Sequence, residues 1–168
     1  WQGMSLLFPM EKLFERYVAG RLQELLLPGA TLESQAASEH LCEHGKGRIF
    51  RLKPDLLIDA GSQRWILDTK WKRLDAGQRE KNYWLSQSDF YQLFAYGHKY
   101  RLQQSAPTLV LIYPYWSGLK ENLPAFDYGD DLRLWVLPFD LDNGLLLNAE
   151  KPGLPVQSVN EQLQQVRL

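Results

Sequence analysis

The sequence predicts an α/β domain in which a mixed sheet is flanked by helices, and three observations lead there. An amphipathic helical run opens the chain. Short runs of strand character follow, two of them joined by a tight polar turn. A second helical run then precedes two further apolar strand-like runs. The order is helix, three or four strands with a hairpin, helix, strand, strand, which amounts to an αβββαβ core.

The first helix runs from Pro9 to about Leu26. Phe14, Tyr17, Val18, Arg21 and Leu25 recur at helical spacing, as do Met10, Leu13 and Tyr17, and Pro28-Gly29 ends the run. Glu11 and Glu15 are four apart and share a second face. Strand-like runs follow at Thr31–Ala36, Gly47–Leu52, Asp55–Ala60 and Arg64–Trp71, with Gly61-Ser62-Gln63 as a tight hairpin connection between the last two. In the last run Trp65, Leu67, Thr69 and Trp71 point one way, and Ile66, Asp68, Lys70 and Lys72 the other. Asp75 to Trp84 is polar and reads as a mobile loop. Ser86-Gln-Ser88-Asp89 is an N-cap signal for a second helix over Phe90–Leu102, which carries Phe90, Leu93, Phe94, Gly97 and Tyr100. Thr108–Tyr113 is an apolar run of the kind buried in a sheet centre, and Leu132–Leu137 is a further strand ended by Pro138. The whole chain reads as one domain, 1–168, with its core over about 9–140. The tail over 141–168 is irregular until a short polar helix near Val159–Val166.

Composition narrows the functional classes. The chain has 168 residues, 45% hydrophobic and 23% charged, which suits one soluble domain with a real core. No apolar run approaches the roughly 20 residues of a membrane span, so no membrane partner is expected. The start, Trp1-Gln-Gly-Met, lacks a basic region followed by an apolar stretch and reads as a fragment boundary, without a signal peptide. One cysteine, Cys42, fits a reducing, cytoplasmic setting. His40-Leu-Cys42-Glu-His44 lacks the second Cys/His pair of a zinc site and reads as a loop or strand with a buried thiol. The net charge of −1 excludes a generically basic nucleic-acid binder. Locally the balance shifts, because Lys70, Lys72, Arg73, Arg79 and Lys81 cluster in one stretch.

That stretch follows the residues that carry chemistry. Asp55, after Lys53-Pro54, opens one strand of the hairpin, and Asp68 lies across it with Lys70 on the same face. Metal-dependent phosphodiester cleavage calls for this kind of set: carboxylates to hold the cation on the phosphate, and an ammonium group to stabilise charge or orient the attacking water. Each residue also has a structural alternative. Asp55 could cap a turn after Pro54, and Lys70 could be a solvated strand residue. Glu15 could be a surface helix charge, and Gln92 and Tyr96 ordinary helix-surface and core residues. Asp59 faces the same side as Asp55 and is expected to be peripheral. Among the aromatics near the site, Tyr83 and Trp84 have a context polar enough for exposure and base stacking. Tyr113-Pro-Tyr115-Trp116 reads as packing, and His40, His44 and His98 carry no catalytic signature.

Pro54-Asp55 … Asp68-Thr69-Lys70 resembles the PD-(D/E)xK nuclease motif, and Gln92-Leu-Phe-Ala-Tyr96 resembles the Q-x-x-x-Y motif of its RecB-like branch. Within that superfamily, Met10-Glu-Lys-Leu-Phe-Glu15-Arg-Tyr17, Leu52-Lys-Pro-Asp55 and Ile66-Leu-Asp68-Thr69-Lys70-Trp-Lys72 are similar to McrC, the nuclease subunit of McrBC modification-dependent restriction systems. The similarity runs from about Met10 to Tyr115. It implies a restriction-endonuclease-like fold and catalytic residues Asp55, Asp68, Lys70 and Glu15, with Glu11 as the reserve for Glu15. It also implies Mg²⁺ or Mn²⁺ held by Asp55, Asp68 and the Thr69 carbonyl, with Gln92, Tyr96 and Lys72 supporting the site or the DNA.

The implied partners are DNA and a McrB-like AAA+ GTPase motor, with dimerisation on DNA to cut both strands. No G-x-x-x-x-G-K-[ST] is present in the chain, so GTP hydrolysis is expected elsewhere. The McrC region that contacts McrB is expected to lie outside this chain. The alternative functions are an autonomous RecB-like repair or phage-defence nuclease, and a non-catalytic DNA-binding relative.

Overall fold

A computed structural model of the chain describes residues 9–119 and 123–157. Helix α1 (Met10–Leu25) leads into β1 (Ala30–Ser34), then β2 (Glu39–His44), β3 (Gly47–Leu52), β4 (Leu56–Ala60) and β5 (Gln63–Thr69). Helix α2 (Gln87–Lys99) follows, and then β6 (Thr108–Pro114), β7 (Phe126–Asp127), β8 (Arg133–Asp140) and β9 (Leu145–Leu146). The main sheet has the order β1-β4-β5-β6-β8-β7, with β9 on the far end of β8. Its β1-β4-β5 half is antiparallel and its β5-β6-β8 half is parallel. Among the described residues no helix is long and apolar enough to cross a membrane.

The mixed sheet and flanking helices agree with the predicted fold class. Period-two alternation explains why one helix covers each face. Leu56, Ile58, Trp65, Leu67, Val110 and Ile112 pack with Phe14, Val18 and Leu22 of α1. Leu57, Ile66, Leu109 and Leu111, one position out of phase, pack with Leu93 and Tyr96 of α2 and with Tyr100 at its C-cap. Of the two apolar arcs expected on α1, the Phe14/Val18/Leu25 arc is the buried one, while Met10, Leu13 and Tyr17 remain about 40% exposed. The β4–β5 connection is a two-residue turn, with Gly61 at φ 60° and Gln63 already paired to Ala60.

Several sequence expectations shift. Helix α2 starts and stops about three residues earlier than expected. Ser86 occupies its N-cap position, but the Ser86 hydroxyl bonds Ser88 Oγ at 2.7 Å and leaves the helix amides uncapped by side chain. Strand β8 runs past Pro138 to Asp140. The Pro138 carbonyl accepts from Leu147 on the outer side, so the missing N–H removes no bond to β6. Residues 39–44 form a strand paired with β3 in a separate two-stranded sheet, and the Cys42 thiol there is exposed, not buried. A projecting hairpin is covered on neither face for most of its length, so alternation does not bury that position.

The 75–84 loop is folded back onto the protein. Leu74 is fully buried, the Asp75 amide donates to the Tyr83 carbonyl, and the Tyr83 ring packs edge-on against Phe126. Tyr83 is therefore half-buried, while Trp84 stays 45% exposed as its context suggested. Past residue 140, Leu145 is buried, and Leu146, Ala149 and Leu154 are buried against the α1 face. The helix expected near Val159–Val166 lies outside the described residues.

Gly97 sets how closely α2 approaches the sheet side of the core. A Cβ there would lie 2.6 Å from a methyl carbon of Leu132, which is itself fully buried. Gly97→Leu is expected to lower unfolding stability by roughly 1–3 kcal/mol through overpacking, read as a reduced urea midpoint at unchanged slope.

Candidate active site

The antiparallel register of β4 and β5 builds the site. Leu56 pairs Leu67, so one residue further toward the strand ends Asp55 stands opposite Asp68. Both lie on the face that α2 covers. The two are joined directly, because the Asp55 amide donates to Asp68 Oδ1 at 3.3 Å. Thr69 then turns its amide and hydroxyl to Asp55 Oδ2, at 2.8 and 2.9 Å, which fixes that carboxylate. Asp68 is 3% exposed.

Strand β5 ends at Thr69, so the alternation expected as far as Lys72 stops there. Lys70 still reaches back to the acids, because its amide stays tied to the Ile112 carbonyl of the neighbouring β6 at 2.9 Å. Its ammonium lies 2.7 Å from Asp68 Oδ2 and 3.3 Å from Asp89 Oδ1, and it donates to Gln92 Oε1 at 3.0 Å. The Gln92 amide donates to the Tyr96 hydroxyl, and Tyr96 donates to the Lys53 carbonyl, two residues before Asp55. Gln92 and Tyr96, one turn apart on α2, thus orient Lys70 at one end and the approach to Asp55 at the other.

Helix α1 contributes from the opposite side. Glu15 bonds the Gln35 amide group, which also reaches Asp55 Oδ1 at 3.3 Å, and Lys12 pairs with Glu15 at 3.3 Å. Glu15 therefore meets Asp55 through an intervening glutamine. Glu11, Lys53 and Lys72 line the same open cleft of about 380 Å³. Asp59 stays away from it, gripped by Arg64 in a two-bond ion pair at 2.7 Å near the hairpin turn.

Electrostatics follow from this packing. Burial, and next the charge of Asp55, push the Asp68 carboxyl up to about 7 against the opposing pull of Lys70. Burial works against the Lys70 ammonium, but the charges of Asp68 and Asp89 outweigh it and hold its pKa above the ordinary value. Burial first, and then the Asp89 and Asp68 charges, raise the Tyr113 hydroxyl, which is fully enclosed with no hydrogen-bond partner among the described residues. Among the described residues no three His, Cys, Asp or Glu side chains are arranged to hold a metal unaided. Two carboxylates suffice for a hard, oxygen-seeking cation such as Mg²⁺, which keeps several waters and takes other ligands from a substrate phosphate. The donor set fits that cation and does not fit a zinc site, which needs His or Cys.

The McrBC 5-methylcytosine restriction system component family matches residues 1–114. The chain belongs to this family. No curated protein sequence matches it. Among solved structures, the McrBC-family chain is similar to a chain in the refined half-complex from a tetradecameric assembly of Thermococcus gammatolerans McrB AAA+ hexamers with bound McrC. The likeness has a TM-score of 0.58 at 20% identity, covering 94% of this chain and 33% of the other, and bears on the fold alone. The McrBC-family chain thus spans about a third of that chain's length.

Two residues that touch the McrBC-family acid cluster carry no sequence role in the motif reading. Asp89 falls within the N-cap signal of α2, yet it pairs with Lys70; its spacing to Gln92 and Tyr96 (i, i+3, i+7) is the signal that places it on their stripe. Gln35 has no comparable signal. It sits at φ 55°, just past β1, in a left-handed conformation unusual for a side-chain-bearing residue, and its amide donates to the Asp55 carbonyl at 2.9 Å.

A raised carboxyl pKa has a defined linkage sign. The folded protein holds the Asp68 proton more tightly than the unfolded chain, so this contribution is fully present below about pH 4. It is lost as pH rises through about 7. In a chelator, Asp68→Asn should flatten the decline in stability between those limits, measured as urea midpoints across pH for both proteins.

Proposed function

We propose that this chain is the Mg²⁺-dependent DNA endonuclease module of a modification-dependent restriction system, hydrolysing phosphodiester bonds. The observation that carries the reading is the Asp55–Asp68 pair facing across one hairpin, with the Lys70 ammonium 2.7 Å from Asp68 in an open cleft. Family membership supports the restriction-system setting. Mg²⁺ (or Mn²⁺) would be held by Asp55, Asp68 and the Thr69 carbonyl, and would supply Lewis-acid stabilisation of the phosphate and a more acidic bound water.

The chain's own residues do the rest. Lys70 keeps its proton at neutral pH, since its pKa lies above the ordinary value, and acts as a fixed cation against charge developing on the phosphate. Asp89 and Gln92 hold that ammonium in place, and Tyr96 holds Gln92. Glu15, through Gln35, keeps Asp55 turned into the cleft and adds negative charge that favours cation entry. Lys12, Lys53 and Lys72 along the cleft wall suit a polyanionic strand. The solved McrB AAA+ hexamers with bound McrC support a McrB-like GTPase motor as partner, and cutting both strands calls for two such modules on DNA.

Plasmid nicking with Mg²⁺ or Mn²⁺ tests the reading. Asp68→Ala should abolish cleavage, Lys70→Ala should lower its rate roughly 100-fold, and Gln92→Ala should lower it roughly 10- to 100-fold, as loss of outer-shell support does. Activity of the chain alone would favour an autonomous nuclease, and activity only with an AAA+ partner and GTP would favour the restriction subunit. Absence of calorimetric metal binding, with no cleavage under either condition, would sink the nuclease reading.

A further inference from the structure

A second concavity adjoins the acid cleft and shares two of its walls, Trp71 and Lys72. It encloses about 300 Å³ and is completed by Arg73, Tyr115, Trp116 and Leu141. Two of the aromatic residues lining it are exposed, Trp71 at 38% and Tyr115 at 40%.

Trp71 and Trp116 are held through their rings, and Tyr115 and Leu141 through their backbones. Trp71 leans on Phe14 of α1, ring centroids 5.4 Å apart. The Trp116 indole donates to the Leu74 carbonyl at 2.6 Å, and its ring lies so close over Gly118 that a Cβ there would meet it at 2.2 Å. The Tyr115 amide donates to the Phe139 carbonyl, and the Leu141 carbonyl accepts from the Tyr17 hydroxyl. Arg73 lays its guanidinium 5.4 Å from the centre of the Trp116 ring.

We propose that this pocket takes an unstacked nucleobase of the DNA strand whose phosphate enters the acid cleft, with Tyr115, Trp71 and Trp116 as the aromatic surfaces and Arg73 beside the flanking phosphate. The proposal rests on the nuclease reading for the identity of the strand. Its own support is threefold. Exposed aromatic faces stack bases of any identity. Cations at the rim match the phosphates that accompany every base. The shared Trp71–Lys72 wall makes pocket and cleft one continuous surface, so a strand that places a phosphate at Asp68 passes the pocket mouth. The segment after β6, which read as packing from sequence, is then part of the substrate path.

Binding without cleavage tests this directly. In a chelator, the chain is titrated into fluorescently labelled dT20 and into an abasic 20-mer of equal charge, followed by anisotropy. The natural chain is expected to prefer dT20 by roughly 5- to 100-fold. Tyr115→Ala should cut that preference to less than about twofold while leaving affinity for the abasic strand unchanged, because the side chain is exposed and uncharged. Photocrosslinking with a 4-thiothymidine oligonucleotide should mark the Trp71, Tyr115 and Trp116 segments. Equal binding of both strands by the natural chain, or a preference undiminished in Tyr115→Ala, overturns the pocket. Base preference lost in Tyr115→Ala, with calorimetric metal binding absent and no nicking either alone or with an AAA+ partner and GTP, supports the pocket and sinks the nuclease reading. Nicking with equal binding of both strands overturns the pocket alone.

Discussion

Two carboxylates facing each other across neighbouring strands, one of them almost wholly removed from water, repel one another unless positive charge is supplied. The β4–β5 register creates that conflict, and much of the surrounding structure answers it. Lys70 supplies one positive charge to Asp68, and Asp89 and Gln92 keep it there. On the other side Thr69 stabilises one oxygen of the Asp55 carboxylate with two hydrogen bonds. The compensation is incomplete, since Asp68 still holds a proton up to about pH 7. A site that remains short of positive charge after its own lysine is in place is predisposed toward a cation from solution.

The parallel half of the sheet decides where this site faces. Asp68, Thr69 and Lys70 fall at the carboxyl end of β5, and Tyr115 and Trp116 follow the carboxyl end of its parallel neighbour β6. Open α/β sheets favour ligand sites beyond the carboxyl ends of parallel strands, because the crossover helix leaves a crevice there. Here α2 is that crossover, and its first turns carry Asp89 and Gln92 into the crevice. Helix α1 closes the other side with Glu15. The cleft and the aromatic pocket are consequences of one topology.

Strong local signals made much of this legible in the sequence. The hairpin, the strand alternation and the helical spacing of Phe14, Val18 and Leu25 depend on nearest neighbours along the chain, and they carried Asp55 and Asp68 to one place, whereas Lys70 reaches it from just past the end of β5. The Gln92–Tyr96 spacing likewise put both on one stripe of α2. What escaped depends on contacts between distant segments. Gln35 reaches the site because β1 pairs with β4, a pairing no local pattern announces. Cys42 looked buried because strand character was equated with burial, but β2 and β3 project from the main sheet. Tyr83 looked exposed because its neighbours in sequence are polar, whereas Phe126, from a distant segment, covers it.

Pro138 shows how such a misreading can invert a residue's meaning. Taken alone, a proline marks the end of a strand. In place, it lies beside Leu147, at the margin of the stretch of β8 paired with β9 at Phe139–Asp140 and beyond the stretch paired with β7 at Arg133–Leu134. Its carbonyl is already claimed by Leu147, and it has no N–H to offer. A foreign strand approaching β8 between β7 and β9 would find no donor at that margin, so a missing hydrogen atom disfavours edge-to-edge association there.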